Sequence, residues 1–299
     1  MPTVIIIGFQ YDNTSKELKS TITDCYLIYS YYKNKNYKIY IGSDAMSTKP
    51  SDNLTKLLVN NIVDEKYLNF CRSHFMEIKK NIQTKDDLIN FFDMIELTED
   101  RKLIIYFTGH GEIKGIKLPD KTILPAVDFR NAILKIGRLS ESELSFISTD
   151  YEYQPALSLR NGINSIGSQI LIILDCCNPH GLYLPYKLGI SNNTFIDQTL
   201  LHVPAEIILL TATDSDSSVI AEESVSIFTK NFIEILKNPD KNIDLPSIIK
   251  SVSPNSNPNA YVSYPTTMVL WTWVYNNIIH CEVNEFLDCI VVNKNKNNY

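Results

Sequence analysis

Six short runs, at residues 3–7, 37–41, 103–107, 169–174, 207–210 and 267–270, are built from aliphatic and β-branched residues, most of them apolar at successive positions. A strand that is apolar on both sides of its pleat has to be covered on both sides, and a parallel sheet with helices over each face does this. Segments with helical spacing lie between the runs, at residues 17–32, 54–63, 84–95, 127–136, 226–236 and 246–251. Thr84 followed by Asp86 and Asp87 marks one helix start, a capping residue ahead of an acidic first turn. The alternation predicts an open, doubly wound α/β layer structure. Residues 178–204 and 252–265 read as long irregular connections, the second carrying Pro254, Pro258 and Pro265 among Asn and Ser. No internal repeat is visible.

In such a sheet reactive groups collect at the carboxyl ends of the strands, where loops leave and helix N-termini point. Two ends stand out: the run closing on Phe107-Thr108-Gly109-His110-Gly111, and the run closing on Leu174-Asp175-Cys176-Cys177. If these strands are neighbours, roughly 4.8 Å apart, His110 and Cys177 emerge at one edge within reach of a common carbonyl. An imidazole beside a thiol is how a cysteine is made nucleophilic at neutral pH. Glycines on both sides of His110 allow a sharp turn and close approach of a substrate to the backbone. The N–H groups of Gly111 and Cys177 are candidate oxyanion donors. Strand periodicity puts Asp175 and Cys177 on one face and Thr108 and His110 on one face, while Cys176 points the other way as a core cysteine. A carboxylate beside the nucleophile suits the floor of a pocket for a cationic side chain.

Bulk properties narrow the function classes. The formal net charge is -6 and the pI about 5.4, which leaves no footprint for a phosphate backbone or an anionic membrane surface. Nucleic acid and membrane are therefore not expected as partners. The six cysteines are irregularly spaced and form no CxxC pair, so neither a disulfide scaffold nor a zinc site is expected, and a reducing, cytoplasmic setting fits. The apolar start, Val4 to Phe9, is about one strand long without a basic flank and is not expected to be a signal peptide. A flavodoxin-like nucleotide binder would need a glycine-rich phosphate loop, which the sequence lacks.

These residues resemble the metacaspases, the caspase-related peptidases that cleave after Arg or Lys. The likeness rests on strand-Thr108-Gly109-His110-Gly111 followed by strand-Asp175-Cys176-Cys177, and covers residues 1–272. Ile5-Ile6-Ile7-Gly8 with Glu17 to Asp24 is similar to the family's opening strand and following helix. Residues 207–216, followed by Ile227-Phe228-Thr229, are similar to its small-subunit strand and helix. The resemblance implies a caspase-like three-layer sandwich around a mostly parallel six-stranded sheet. It divides the chain into a large-subunit-like part (1–177), a connecting loop (178–204), a small-subunit-like part (205–272) and a C-terminal extension (273–299).

By the same resemblance His110 and Cys177 are the catalytic dyad, and Asp24 and Asp175 floor the primary specificity pocket. Thr21 and Thr108 stand where the family commonly has Cys and Ser. Thr21 and Asp24, three apart, share a helix face. Lys187, in the connecting loop, is the candidate for self-cleavage. Asp214 and Asp216 form either a secondary binding surface or a solvated turn. The implied partners are protein or peptide substrates with Arg or Lys at the cleaved position. No cofactor is required; for the calcium activation common in the family, Glu112 and Asp120 are a thin start toward about six to eight oxygen ligands. After the nucleophile the chain reads Asn178-Pro179-His180-Gly181 where the family has His-Ser-Gly, and this keeps a catalytically inactive caspase-like binding module as the rival. Histidine ahead of cysteine in the chain favours caspase over papain chemistry.

Overall fold

The computed structural model describes residues 1–11, 14–33, 35–44, 78–98, 100–112, 114–136, 168–177, 184–189, 194–197, 205–213, 225–238, 243–252, 257–263, 270–275 and 291–293. In chain order its elements are β1 (Thr3–Gly8), α1 (Thr21–Lys33), β2 (Lys38–Ser43), β3 (Ile78–Asn81), α2 (Lys85–Asp93), β4 (Lys102–Thr108), β5 (Gly111–Glu112), β6 (Gly115–Lys117) and β7 (Ile123–Pro125). There follow α3 (Ala126–Ile136), β8 (Gln169–Asp175), β9 (Tyr186–Gly189), β10 (Thr194–Asp197), β11 (Glu206–Thr211), α4 (Ile227–Lys237), α5 (Leu245–Val252), β12 (Asn259–Val262), α6 (Thr272–Tyr275) and β13 (Val291–Asn293).

Among the described residues ten strands form one sheet in the order β13-β10-β9-β12-β11-β8-β4-β1-β2-β3, and β5, β6 and β7 form a small antiparallel sheet beside it. From β3 through β11 every pairing is parallel, whereas β12 and β9 join antiparallel. Side-chain parity sorts the strands onto two cores. Val4, Ile6, Ile104, Tyr106, Leu171 and Ile173 pack under α1, α4 and α5, while Ile5, Ile7, Ile105, Phe107, Ile172 and Leu174 pack under α2 and α3. These strands read as unbroken apolar runs because each successive side chain enters a helix-covered layer. The α/β three-layer sandwich expected from the sequence is the observed architecture.

Several local expectations change. The sheet is wider than six strands because the segments read as irregular also pair. β9 and β10 lie within 178–204, and β12 lies within 252–265. These strands are short, four residues each, and Asn, Gly or Pro flank them, so the apolar run that would reveal them is missing. Part of the 273–299 extension returns as β13 beside β10. α1 starts at Thr21 rather than 17, because the preceding N–H groups turn back to the end of β1: Thr14 N–H donates to Tyr11 O and Leu18 N–H to Gln10 O, at 3.2 and 2.8 Å. α2 begins as expected, with a capping box between Thr84 and Asp87. The expected helix at 54–63 and most of the expected strand at 267–270 lie outside the described residues.

Candidate active site

β4 and β8 are direct parallel neighbours with Thr108 opposite Asp175, so His110 and Cys177 each lie two residues beyond a paired position. The two loops then touch. A Cβ built on Gly111 would fall 1.8 Å from the Cys177 carbonyl oxygen and 3.1 Å from Cys176 Sγ, a space that only glycine can occupy. Lys117 N–H donates to His110 O at 3.0 Å, which makes Gly111 and Ile116 a non-hydrogen-bonded pair and leaves the Gly111 N–H unclaimed by β6. Cys177 is partly exposed, while Cys176 is buried in the core shared with α2 and α3, its thiol pushed well up by that burial.

His110 is held by groups from the β1–α1 connection. Its Nε2 lies 2.7 Å from the carbonyl oxygen of Lys16. A carbonyl has no proton to give, so Nε2 carries the hydrogen and the neutral ring keeps its lone pair on Nδ1. Partial burial lowers the His110 pKa; the Lys16 bond opposes this, while Lys117 adds to it and Glu112 counters. The imidazole is accordingly neutral near pH 7. The backbone N–H of His110 donates to the Tyr11 hydroxyl at 2.9 Å.

On the same face as Thr108, two carboxyl groups are sealed under α1 and α4. Asp24 is 0% exposed and Asp175 3%. Asp24 Oδ1 accepts the Ser226 N–H at 2.8 Å, at the start of α4. Asp175 Oδ2 accepts the Thr229 hydroxyl at 2.5 Å, and Tyr106 stands behind that hydroxyl at 2.6 Å. Asp24 Oδ2 and Asp175 Oδ1 are buried without a hydrogen-bond partner. Burial, then the neighbouring charge of Asp175, pushes the Asp24 carboxyl well above the usual carboxylate range. Asp175 is raised chiefly by burial, against the hydroxyls of Thr229 and, at 3.4 Å, Tyr106. Two such orphan oxygens are an unmet demand for a donor, and a cation supplies it best. Thr21 and Thr108 are buried alongside, the Thr21 hydroxyl donating to Phe9 O at 3.3 Å.

The sequence-derived residues thus fall into two groups, the touching loops that carry His110 and Cys177 and the buried acid pair of Asp24 and Asp175, and two further contributors join them. The Lys16 carbonyl and the Tyr11 hydroxyl were not expected; a backbone oxygen has no signature in a sequence, and a Tyr in a loop reads as ordinary. Lys187, the candidate for self-cleavage, lies in β9 rather than in an irregular connection, paired with Ile196 of β10 on one side and Tyr261 of β12 on the other, its Nζ 5.7 Å from the Tyr261 ring centroid. Residues 178–181, Asp214 and Asp216 lie outside the described residues.

Glu112 and Asp120, the carboxylates weighed for calcium, make local contacts. Glu112 Oε1 pairs with Lys117 Nζ at 3.1 Å, and Asp120 Oδ1 accepts the Thr122 N–H and hydroxyl at 2.9 and 2.7 Å. These carboxylates serve local pairs rather than a common cage, and among the described residues no group of three or more His, Cys, Asp or Glu could hold a metal ion. No helix of the described residues is long and apolar enough to cross a membrane.

Comparison with known proteins adds three findings. A family model described as the caspase domain matches residues 2–255. No curated protein matches the chain. Among solved structures, the crystal structure of a Geobacter sulfurreducens protein aligns with 12% identity and a TM-score of 0.50, covering 92% of this chain and 99% of that one. At that identity the likeness bears on the fold alone.

Proposed function

The chain belongs to the caspase-domain family of cysteine peptidases, and from that premise we propose that it is an endopeptidase cleaving after Arg or Lys, with His110 and Cys177 as its reacting pair. The observation that carries this is the contact of Gly111 with the Cys177 carbonyl, since it draws together the two loops that bear the imidazole and the thiol. The acid pair supports the specificity. Asp24 Oδ2 and Asp175 Oδ1 each lack a donor, and the planar fork of a guanidinium can serve two carboxylates at once.

In this reading the substrate cation enters between Asp24 and Asp175 and lowers both pKa values by pairing with them. Nδ1 of His110 accepts the thiol proton, and the Cys177 sulfur attacks the carbonyl carbon of the scissile bond. The developing oxyanion meets the N–H groups of Gly111 and Cys177. The imidazolium, its Nε2–H still held by Lys16 O, returns the proton to the departing amine from Nδ1. Water, deprotonated by the same nitrogen, then releases the acyl group from sulfur. A reducing compartment such as the cytoplasm keeps this thiol chemistry available.

The test is turnover of fluorogenic peptides ending in Arg, Lys, Asp or Leu by the full chain. Release from Arg and Lys peptides that vanishes in Cys177→Ala is expected. Absence of release from any of them, with or without calcium, together with no labelling of Cys177 by an Arg-based electrophile, would reject the reading in favour of a binding module.

A further inference from the structure

We propose that Tyr11 is a positioning residue that, with the Lys16 carbonyl, holds His110 from two sides and fixes both the place and the polarity of its imidazole. Four observations carry it. The Tyr11 hydroxyl accepts the His110 N–H at 2.9 Å and donates to Lys117 O at 2.7 Å, so one oxygen ties both ends of the His110 turn. The Tyr11 ring lies against the imidazole, centroids 4.7 Å apart and tilted by 39°. A Cβ on Gly109 would stand 3.1 Å from the Tyr11 hydroxyl, tighter than ordinary contact, so the glycine ahead of His110 gives that oxygen room. Tyr11 itself is 4% exposed and adopts φ 59°, a left-handed conformation that a non-glycine residue enters only at an energetic cost.

That strained conformation is fastened from outside. The two oxygens of Asp44, just past β2, accept the N–H groups of Gln10 and Tyr11 at 2.8 and 2.7 Å. Beyond it the Tyr11 carbonyl accepts the Thr14 N–H and hydroxyl, and Thr14 Oγ1 accepts the Lys16 N–H at 3.2 Å. The same turn therefore presents the Tyr11 hydroxyl to the backbone of His110 and the Lys16 carbonyl to its ring. An ordinary core tyrosine would need neither the left-handed backbone nor the carboxylate clamp.

The kinetic consequence rests on the peptidase reading; the effect on the imidazole does not. Tyr11→Phe keeps the ring and removes the hydroxyl. With an Arg-terminated peptide it should lower kcat by about tenfold with KM within about twofold, the size of one lost positioning hydrogen bond. Its melting temperature should stay near that of the parent. Tyr11→Ala removes the ring as well and admits water to the imidazole. The groups facing His110 are Lys16, Lys117 and Glu112, with Cys177 on the neighbouring loop. Desolvation outweighs them, so its relief should move the His110 titration midpoint upward toward that of an ordinary histidine. The midpoint is read from the imidazole C–H resonance in NMR, assigned among five histidines by His110→Gln. If Tyr11→Ala does not fold, Tyr11→Leu serves for the same titration.

Wild-type kcat in Tyr11→Phe together with an unmoved His110 midpoint in Tyr11→Ala or Tyr11→Leu would overturn the proposal. A parent chain with no turnover would defeat the peptidase reading alone; the midpoint would then decide the positioning role, upward for it and unchanged against it.

Discussion

The two faces of the central sheet end differently at the carboxyl ends of its strands. Under α2 and α3 the rows close on Phe107, Leu174 and Cys176, all buried apolar groups. Under α1 and α4 the same strands close on Tyr106, Thr108 and Asp175, joined by Asp24, Ser226 and Thr229. One face stops as an apolar core and the other as a buried polar cluster with two unanswered carboxylate oxygens. Neighbouring residues in the chain, Asp175 and Cys176, thus serve opposite purposes because a strand turns its side chains over at each step.

The strongest way to break that contrast is at adjacent cysteines. Cys177→Ala should reduce turnover by ~10³-fold or more with little change in stability, as loss of a nucleophile does. Cys176→Ala should leave turnover within a fewfold but lower unfolding free energy by ~1–2 kcal/mol, the cost of a small cavity in a packed core. Kinetics and urea titration on both variants measure this, and equal effects would erase the distinction between faces. Next in size is the acid pair. Asp175→Asn should lower kcat/KM for an Arg peptide by ~10²-fold while affecting a Leu peptide far less, since a cation loses a charged partner. An equal loss on both peptides would make Asp175 structural only.

Gly111→Ala probes the seam between the loops. Its Cβ would meet the Cys177 carbonyl at 1.8 Å, so one loop has to move. A displacement of that order predicts a fall in kcat of about tenfold to a hundredfold. Unchanged kcat would show that the seam is not needed.

The smallest effect is on stability and pH. Asp24 and Asp175 have raised pKa values in the folded chain. A carboxyl whose folded value is raised favours the fold most below its unfolded pKa, and that contribution is lost as pH rises through the folded pKa. The ligand-free protein should therefore melt at a lower temperature at pH 8 than at pH 5.5, relative to Asp24→Asn, with ~1–2 kcal/mol at stake for an imperfectly compensated buried charge. Thermal melts across that range check the slope; identical slopes in parent and variant would show that Asp24 is already ionised in the folded chain throughout that range, against a raised pKa. A cationic ligand such as agmatine should raise the melting temperature more at pH 8 than at pH 5.5.

Much of this contrast is legible in the sequence. The strands β1, β4, β8 and β11 announce themselves as apolar runs because both of their faces are covered, and parity then separates Cys176 from Cys177. His110 and Asp175 follow from strand ends. What stayed hidden has a physical reason in each case. β9 and β12 are short and owe their pairing to neighbours far along the chain, so no local periodicity marks them. The Ser226 N–H that meets Asp24 comes from 202 residues away. Tyr11 matters through a left-handed backbone that Asp44 secures, which no spacing rule reports.

The group that fixes the protonated nitrogen of His110 belongs to the main chain, so no side-chain scan can remove it. Replacing Lys16 by any other residue keeps the oxygen, and a mutational survey would score that position as tolerant. Its contribution would surface only on swapping the amide that follows for an ester, which weakens the oxygen as an acceptor without touching a single side chain.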